Sequence, residues 1–340
     1  MWDRLFGLFS KNLAMDLGTA NTLIYLKGQG IVLNEPSVVA ISRETGEVTA
    51  VGHSAKELIG RTHRKIVTIR PLKDGVIADF EVTSVMIKYF LRKVLKKRPL
   101  VKPRLIVAVP TGITQVEKRA VIESAEQAGA REVHLIEEPM AAAIGAELPI
   151  DKPIGNMIVD IGGGTTEVAV ISLCAVAYSE SVRVAGDETN EAIIRYIQRK
   201  HQMAIGENLA EEIKIRIGSA VPQETPLSMK VSGKEIVTGI PKTFTITDEE
   251  VREAIKEPVN VIVEAVKRAL EKTPPELAGD IGDNGIWLAG GGALLRGLDK
   301  LVSQEIQIKV NVAEDPLTTV ARGSGIAIEN FDFYKQVFIN

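Results

Sequence analysis

The sequence predicts an α/β protein built from two lobes. The chain has 340 residues, which is long for a single hydrophobic core. Apolar runs rich in β-branched residues, typical of buried strands, alternate with amphipathic helical stretches. One pattern of strand, acidic turn and strand occurs twice, around residues 16 and 160, and indicates an internal duplication.

The composition is that of an ordinary globular protein, with 45% hydrophobic and 25% charged residues. The net charge of -3 gives no sign of nucleic-acid binding, so no nucleic-acid partner is expected. The single cysteine, Cys174, excludes an intrachain disulfide, which suits the cytoplasm. No apolar run reaches the roughly 18 residues that a membrane-spanning helix needs.

Residues 1–12 are predicted to form an amphipathic helix that lies on a membrane surface. Trp2, Leu5, Phe6 and Phe9 are spaced i, i+3, i+4 and i+7, so they share one helix face. So short a helix is marginal alone, and partial burial of each large side chain contributes about 1 kcal/mol. Membrane binding should therefore be weak for one subunit and tight for a polymer. A core-packing arm or a frayed terminus is the alternative.

The duplicated pattern places an Asp at the end of an apolar strand, followed by a turn of small residues and a second strand. Backbone N–H groups and threonine hydroxyls at such turns bind phosphate. A glycine-rich turn whose Asp merely bonds the turn is the alternative for each copy. The turn residues of interest are Asp16, Gly18, Thr19, Ala20 and Asn21 in the first copy, and Asp160, Gly162, Gly163, Gly164 and Thr165 in the second.

The two turns are expected to face each other and hold one polyphosphate from both sides. Asp16 and Asp160 would be costly to bury alone, but they could bind a shared hydrated Mg²⁺ that bridges to the phosphates.

Between the two hairpins, residues 84–98 are predicted to form a helix with a basic end, stopped by Pro99. A loop with Leu100 and Val101 follows, then a buried strand and a second helix over residues 114–128. Glu138 comes next, where a strand meets a helix. A carboxylate there could orient or deprotonate water at a phosphate, or it could simply complement the helix dipole. Glu137 is the neighbouring candidate.

After the second hairpin, a helix over about residues 209–217 carries Glu211 and Lys214 on one face. A surface ion pair between them is the simplest interpretation. A long helix from Asp248 should be bent or divided at Pro258. The turn Gly290-Gly291-Gly292-Ala293 then suits a nucleoside lying against the backbone, although close packing of a helix on a sheet is the alternative.

These motifs resemble the actin, Hsp70 and sugar-kinase ATPase superfamily, and the bacterial MreB family more closely. The segments that carry the closer resemblance cover nearly the whole chain. They are residues 30–40 (GIVLNEPSVVA), 74–80 (DGVIADF), 138–146 (EPMAAAIGA) and 274–278 (PPELA).

The resemblance implies an actin-like fold with ATP and Mg²⁺ in a cleft between two lobes, each with a duplicated core and a smaller insertion. Glu138 would activate the attacking water, with Thr165 and Asp160 beside it, and Glu211 and Lys214 would contact the ribose and adenine. Leu100 and Val101 would be a second membrane-touching point, or an ordinary solvated loop. The implied subdomains are 13–33 with 68–147 and 322–340, 34–67, 148–186 with 241–321, and 187–240.

The resemblance further implies a filament protein with slow ATPase activity that maintains rod cell shape by organising peptidoglycan synthesis. Expected partners are further copies of the chain, an anionic membrane surface, and RodZ, MreC, MreD and other cell-elongation proteins. The expected location is the inner face of the plasma membrane. An Hsp70-like chaperone is disfavoured because no peptide-binding domain follows the ATPase core, and a sugar kinase because no sugar-binding cluster is evident.

Overall fold

The computed structural model describes residues 12–62, 65–95 and 102–339. The strands of these residues, in chain order, are β1 (Leu13–Leu17), β2 (Asn21–Leu26), β3 (Gly30–Pro36), β4 (Val39–Ser42), β5 (Val48–Val51), β6 (Ile66–Ile69), β7 (Leu72–Lys73), β8 (Val76–Ile77), β9 (Arg104–Val109), β10 (Glu132–Glu137), β11 (Asn156–Ile161), β12 (Thr166–Ser172), β13 (Ala175–Val182), β14 (Met203–Ala204), β15 (Ser228–Glu235), β16 (Pro241–Thr247), β17 (Ile286–Ala289) and β18 (Val310–Val312).

The helices of the same residues are α1 (His53–Lys56), α2 (Phe80–Leu95), α3 (Gln115–Gln127), α4 (Glu138–Gly145), α5 (Gly186–His201), α6 (Glu207–Ile217), α7 (Asp248–Lys272), α8 (Pro275–Asn284), α9 (Leu298–Ile306), α10 (Thr319–Glu329) and α11 (Phe331–Tyr334). Short 3-10 turns span Gly291–Leu294 and Lys335–Val337.

The predicted duplication is visible in the two large sheets. The first has the strand order β10-β9-β1-β2-β3 and the second β18-β17-β11-β12-β13. In each, three consecutive strands pair antiparallel, and two later strands add in parallel beside the first of them. The part of the chain built on the first sheet is called the first lobe below, and the part built on the second sheet the second lobe.

Each lobe also carries a smaller sheet. Strands β5-β4-β6 form one in the first lobe, and β14-β15-β16 form the other in the second. The subdomain boundaries given above stay a prediction, because strand pairing alone does not define where one subdomain ends.

Two helices of small residues join the lobes. All eight residues of α4 are buried, and α10 crosses it so closely that a Cβ on Gly323 would lie 1.8 Å from the carbonyl oxygen of Ala141. A Cβ on Gly145 would lie 2.0 Å from the carbonyl oxygen of Thr319. A hydrophobic cluster around this crossing includes Ile106 of the first sheet and Ile158 of the second. The lobes therefore share a continuous core beneath the cleft.

One helix prediction needs correction, and for another the structure excludes one of two alternatives. The helix predicted to start at residue 84 starts at Phe80, because the carboxylate of Asp79 accepts a hydrogen bond from the Val82 N–H at 3.0 Å and caps it. The helix predicted to bend or divide at Pro258 is not divided. Buried apolar residues on both sides of Pro258, such as Ile255 and Val259, continue one packed stripe past the missing hydrogen bond.

No helix among the described residues is both long and apolar enough to cross a membrane. The predicted membrane helix over residues 1–12 lies outside the described residues, apart from Asn12. Leu100 and Val101 lie outside them as well, so both membrane contacts remain predictions.

Candidate functional site

The two predicted hairpin turns lie against each other. A Cβ built on Gly163 would lie 2.6 Å from the Cβ of Ala20. A Cβ on Gly164 would lie 3.0 Å from the Thr19 hydroxyl oxygen. The β1–β2 and β11–β12 turns therefore meet where the lobes face each other, the arrangement expected of a two-sided phosphate clamp.

Close packing against the first lobe explains Gly163 and Gly164 of the second turn, since a Cβ on Gly163 would meet Ala20 and one on Gly164 would meet the Asp74 backbone. None of Gly162, Gly163 and Gly164 has a positive φ, so the sequence-based argument from unusual dihedral angles does not apply. The turn closes with a hydrogen bond from the Gly162 N–H to the Thr165 carbonyl at 2.9 Å. The N-terminus of α5 packs behind it, where the Asp187 N–H donates to the Gly163 carbonyl at 2.8 Å.

The first turn depends on a residue that sequence reasoning missed. The Ser37 hydroxyl donates to the Gly18 carbonyl at 2.6 Å and lies 2.9 Å from the Thr22 hydroxyl, and the Ser37 N–H donates to the Ala20 carbonyl at 3.0 Å. Ser37 is fully buried. The sequence offered one indication that Ser37 matters: it directly follows Pro36 inside one of the motifs that carry the family resemblance.

The Asp74-Gly75 turn between β7 and β8 is a second element that was missed as part of the site. Asp74 and Gly75 have φ values of 50° and 78°, as expected of a tight Asp-Gly hairpin turn. The Gly75 N–H donates to the Thr19 hydroxyl at 3.2 Å. A Cβ on Gly75 would lie 2.9 Å from Pro110 and 3.1 Å from the Thr165 methyl. The turn thus touches both hairpins.

Four carboxyl groups collect beside the turns: Asp16, Asp160, Glu138 and Glu167. Burial, and then the charge of Asp160, raises the pKa of Asp16 to about 7. Burial raises the pKa of Asp160 to about 6. Burial also raises the pKa of Glu167 to about 8, with the charge of Asp160 adding to the effect against the hydrogen bonds from Thr111. Ionising all four carboxyl groups together is therefore unfavourable.

Glu138 is the first residue of α4 and is 9% exposed, with Pro139 following it inside the helix. Burial and the charges of Glu167, Asp16 and Asp160 raise its pKa well above the usual range. Burial raises the pKa of Glu137, and the charge of Lys118 lowers it. Of these two sequence candidates, Glu138 is therefore the one that belongs to the carboxyl cluster.

Lys214 lies near the second turn, and it does not form with Glu211 the ion pair that was the simplest interpretation. The Lys214 ammonium donates to the Gly186 carbonyl at 2.9 Å, and burial lowers its pKa. A Cβ on Gly186 would lie 3.4 Å from the Lys214 nitrogen and 3.6 Å from the Cα of Gly163. Glu211 instead pairs with Lys56 of the first lobe at 2.7 Å.

The late glycine turn packs against the second hairpin. Gly290 has a φ of 77°, and a Cβ there would lie 2.4 Å from the Ile161 carbonyl oxygen and 2.5 Å from an Asp160 carboxylate oxygen. A Cβ on Gly292 would overlap the Ile161 side chain at 2.2 Å. The helix start predicted here is a 3-10 turn over Gly291–Leu294. Close packing on the sheet thus explains Gly290 and Gly292, while Gly291 is exposed.

The donor set fits a hydrated Mg²⁺ rather than a fully protein-bound ion. Carboxylate oxygens are its preferred protein ligands, and the mutual repulsion of Asp16 and Asp160 is what a cation relieves. Among the residues that the structure describes, no group of three or more His, Cys, Asp or Glu side chains could hold a metal ion. Water and phosphate oxygens would have to complete the coordination.

Comparison with known proteins finds one family over nearly the whole chain. The family model described as MreB/Mbl protein matches residues 10–336. The cell shape-determining protein MreB of Escherichia coli (strain K12) is 56% identical over 341 residues, covering 98% of each chain. The cell shape-determining protein Mbl of Bacillus subtilis (strain 168) is 50% identical over 325 residues, 96% of this chain and 98% of Mbl.

Among solved structures, MreB5 of Spiroplasma citri bound to AMPPNP superposes with a TM-score of 0.92 and 39% sequence identity. The match covers 96% of this chain and 98% of MreB5. The predicted actin-like fold of two lobes is therefore confirmed.

Proposed function

Because the chain belongs to the MreB/Mbl protein family, we propose that it is an ATP-binding, cell shape-determining filament protein. The observation that carries the proposal is the pair of facing hairpins beside four buried carboxyl groups. It is supported by a relative of the same fold, the S. citri MreB5, whose structure contains AMPPNP.

The phosphates would lie between the two turns. Backbone N–H groups around Thr19 to Asn21 and at Gly163 and Gly164 would donate to the phosphate oxygens, as would the threonine hydroxyls, while the Gly162 N–H closes the turn on Thr165. Asp16 and Asp160 would hold Mg²⁺ through water, and the ion would neutralise phosphate charge.

The nucleoside would lie further along the same cleft. Glu211 and Lys214 on α6 would contact the ribose and adenine, and Gly290 to Ala293 would provide a flat backbone surface. The burial of Lys214 beside Gly186 supports this placement, because the ammonium is already near the second turn.

Glu138 would accept a proton from the attacking water, and Thr165 would help to orient that water. Burial, and then the charges of the neighbouring carboxyl groups, keep the pKa of Glu138 high, which favours its protonated form. A protonated carboxyl cannot act as a base, so turnover should be slow until bound cation and filament contacts close and reorganise the cleft.

The filament would lie on the inner face of the plasma membrane. The apolar face of residues 1–12, with Leu100 and Val101, would contact anionic lipid, and many weak contacts along a polymer would add to tight binding. From there it would organise peptidoglycan synthesis with RodZ, MreC, MreD and other cell-elongation proteins. These partners rest on family resemblance.

The test is sedimentation of the purified protein with and without Mg-ATP, each with and without anionic liposomes. Pelleting that requires nucleotide and increases with lipid supports the proposal. A protein that stays monomeric throughout while it turns over ATP contradicts the filament. Deleting residues 1–12 should abolish pelleting with lipid and leave polymerisation intact; unchanged lipid binding would transfer the role to Leu100 and Val101.

A further inference from the structure

Glu167 is a buried carboxyl group that the proposed mechanism does not use. It is 1% exposed and stands directly opposite Asp160 in the antiparallel pair of β11 and β12. Two acidic residues facing each other across a pair of strands disfavour the pairing, and burial increases the cost. A carboxyl at this position therefore needs compensating partners.

Its partners include a residue of the other lobe. The backbone N–H of Thr111 donates to both carboxylate oxygens of Glu167, at 3.1 and 3.0 Å, and the Thr111 hydroxyl donates at 3.1 Å. The Ser181 hydroxyl, on β13 of the second lobe, donates at 3.2 Å. Thr111 follows β9 of the first sheet, so three of these four bonds connect the two lobes.

The segment held by Glu167 is part of the wall of the site. Pro110, adjacent to Thr111, lies under the Asp74-Gly75 turn, and the Thr165 methyl touches the same turn from the second lobe. The charge of Glu167 also contributes to the raised pKa of Glu138. Glu167 thus connects the loop of one lobe to the hairpin of the other, two residues along the chain from Thr165, which is proposed to orient the attacking water.

We propose that Glu167 is a positioning residue, which holds the Pro110-Thr111 segment against the second hairpin and so fixes Thr165 relative to Glu138. The inference rests on the proposed ATPase function. Both oxygens of Glu167 accept hydrogen bonds, from the Thr111 N–H, the Thr111 hydroxyl and the Ser181 hydroxyl. These bonds favour the ionised carboxylate against the effect of burial, and an ionised carboxylate offers acceptors on both oxygens.

The experiment compares wild type, Glu167→Ala, Glu167→Gln and a matched surface control, Glu191→Gln, whose carboxylate pairs with Arg195 at 3.2 Å on an exposed helix face. Binding of a fluorescent ATP analogue and single-turnover phosphate release are measured for each, with thermal unfolding as a check of folding. Glu167→Ala should slow phosphate release by roughly 10- to 100-fold, since small misplacements of reacting groups cost about that much, and change nucleotide affinity less than about threefold.

Glu167→Gln keeps one acceptor for the Thr111 N–H, so its phosphate release should lie between those of wild type and Glu167→Ala. A second variant, Thr111→Val, removes only the hydroxyl donor. It should slow release in the wild-type background and have no further effect in Glu167→Ala, because the two residues act through one contact.

Three outcomes overturn the inference: unchanged release in Glu167→Ala, a parallel loss of affinity and rate that tracks thermal unfolding, or additive effects of Thr111→Val and Glu167→Ala. If wild type binds ATP and releases no phosphate, the proposed ATPase function fails and the inference falls with it. If wild type turns over and the variants match it, only the inference fails.

Discussion

At the scale of single residues, the carboxyl cluster places opposite demands on the protein. Asp16, Asp160 and Glu138 suit a site that binds cation and phosphate, yet they are buried and their like charges repel each other. Groups that are useful for binding are therefore unfavourable for folding in the absence of ligand.

This conflict predicts a pH-dependent effect of Asp160→Asn on stability. The pKa of Asp160 is about 6 in the folded protein and about 4 in the unfolded chain, so the folded state binds the proton more tightly. The carboxyl therefore lowers stability as pH rises from about 4 to 6, by up to about 3 kcal/mol for a difference of roughly two units. The uncharged amide of Asp160→Asn does not titrate, so the variant does not lose this stability as pH rises.

Urea unfolding of nucleotide-free, Mg²⁺-free protein is the measurement. Asp160→Asn should be more stable than wild type at pH 8, with a smaller advantage at pH 5. Glu191→Gln is the control and should show no such trend. An equal effect of Asp160→Asn at both pH values would contradict the expectation.

Glu138→Ala should slow phosphate release by about 100-fold or more, the usual contribution of a general base, while ATP binding stays largely intact. Glu137→Gln is the matched control because Glu137 is adjacent and lies outside the carboxyl cluster. Single-turnover phosphate release and equilibrium binding separate the two effects. Unchanged turnover in Glu138→Ala would remove Glu138 from the catalytic role.

At the scale of elements, the crossing of α4 and α10 fixes how the lobes are joined. The Arg322 guanidinium on α10 donates to the Gly145 carbonyl at the end of α4 at 3.0 Å. Glycines let the two backbones touch at this point, so the crossing tolerates no added atom.

Gly323→Ala should therefore destabilise the protein by at least about 1–3 kcal/mol, the usual cost of overpacking, since the new methyl meets the Ala141 carbonyl rather than a movable side chain. The control is Gly279→Ala in α8, where a Cβ meets nothing within 4 Å. That change should stabilise by up to about 1 kcal/mol, as Ala favours helix. Urea unfolding measures both; similar effects of the two variants would be inconsistent with the close crossing.

At the scale of the whole molecule, ion pairs connect the lobes on a second side of the cleft. Lys56 pairs with Glu211 at 2.7 Å, and Arg70 pairs with Glu207 and, at 3.7 Å, with Asp187. Since Glu211 is also the proposed nucleoside contact, these pairs lie where nucleotide would enter and leave. Partly exposed pairs contribute about 0.2–1 kcal/mol each, so they would restrain opening without preventing it.

Removing these cross-lobe pairs should speed nucleotide release. The double change Lys56→Ala with Arg70→Ala is expected to accelerate release of fluorescent ADP by roughly two- to tenfold, and added salt should reduce the difference from wild type. Lys242→Ala is the control, because Lys242 pairs with Glu235 inside one hairpin of the second lobe. Equal release rates in all three proteins would show that the pairs do not restrain the cleft.

The sequence by itself determined the repeated hairpins, the strand-to-helix junction at Glu138 and the late glycine turn, because hydrophobic periodicity and turn chemistry act over a few neighbouring residues. Only the tertiary structure decided what those elements meet. Ser37 beneath the first turn, Thr111 on Glu167, Lys56 on Glu211 and Gly323 against α4 are contacts between distant parts of the chain. Burial and close approach depend on how the lobes pack, and local sequence patterns carry little information about that packing.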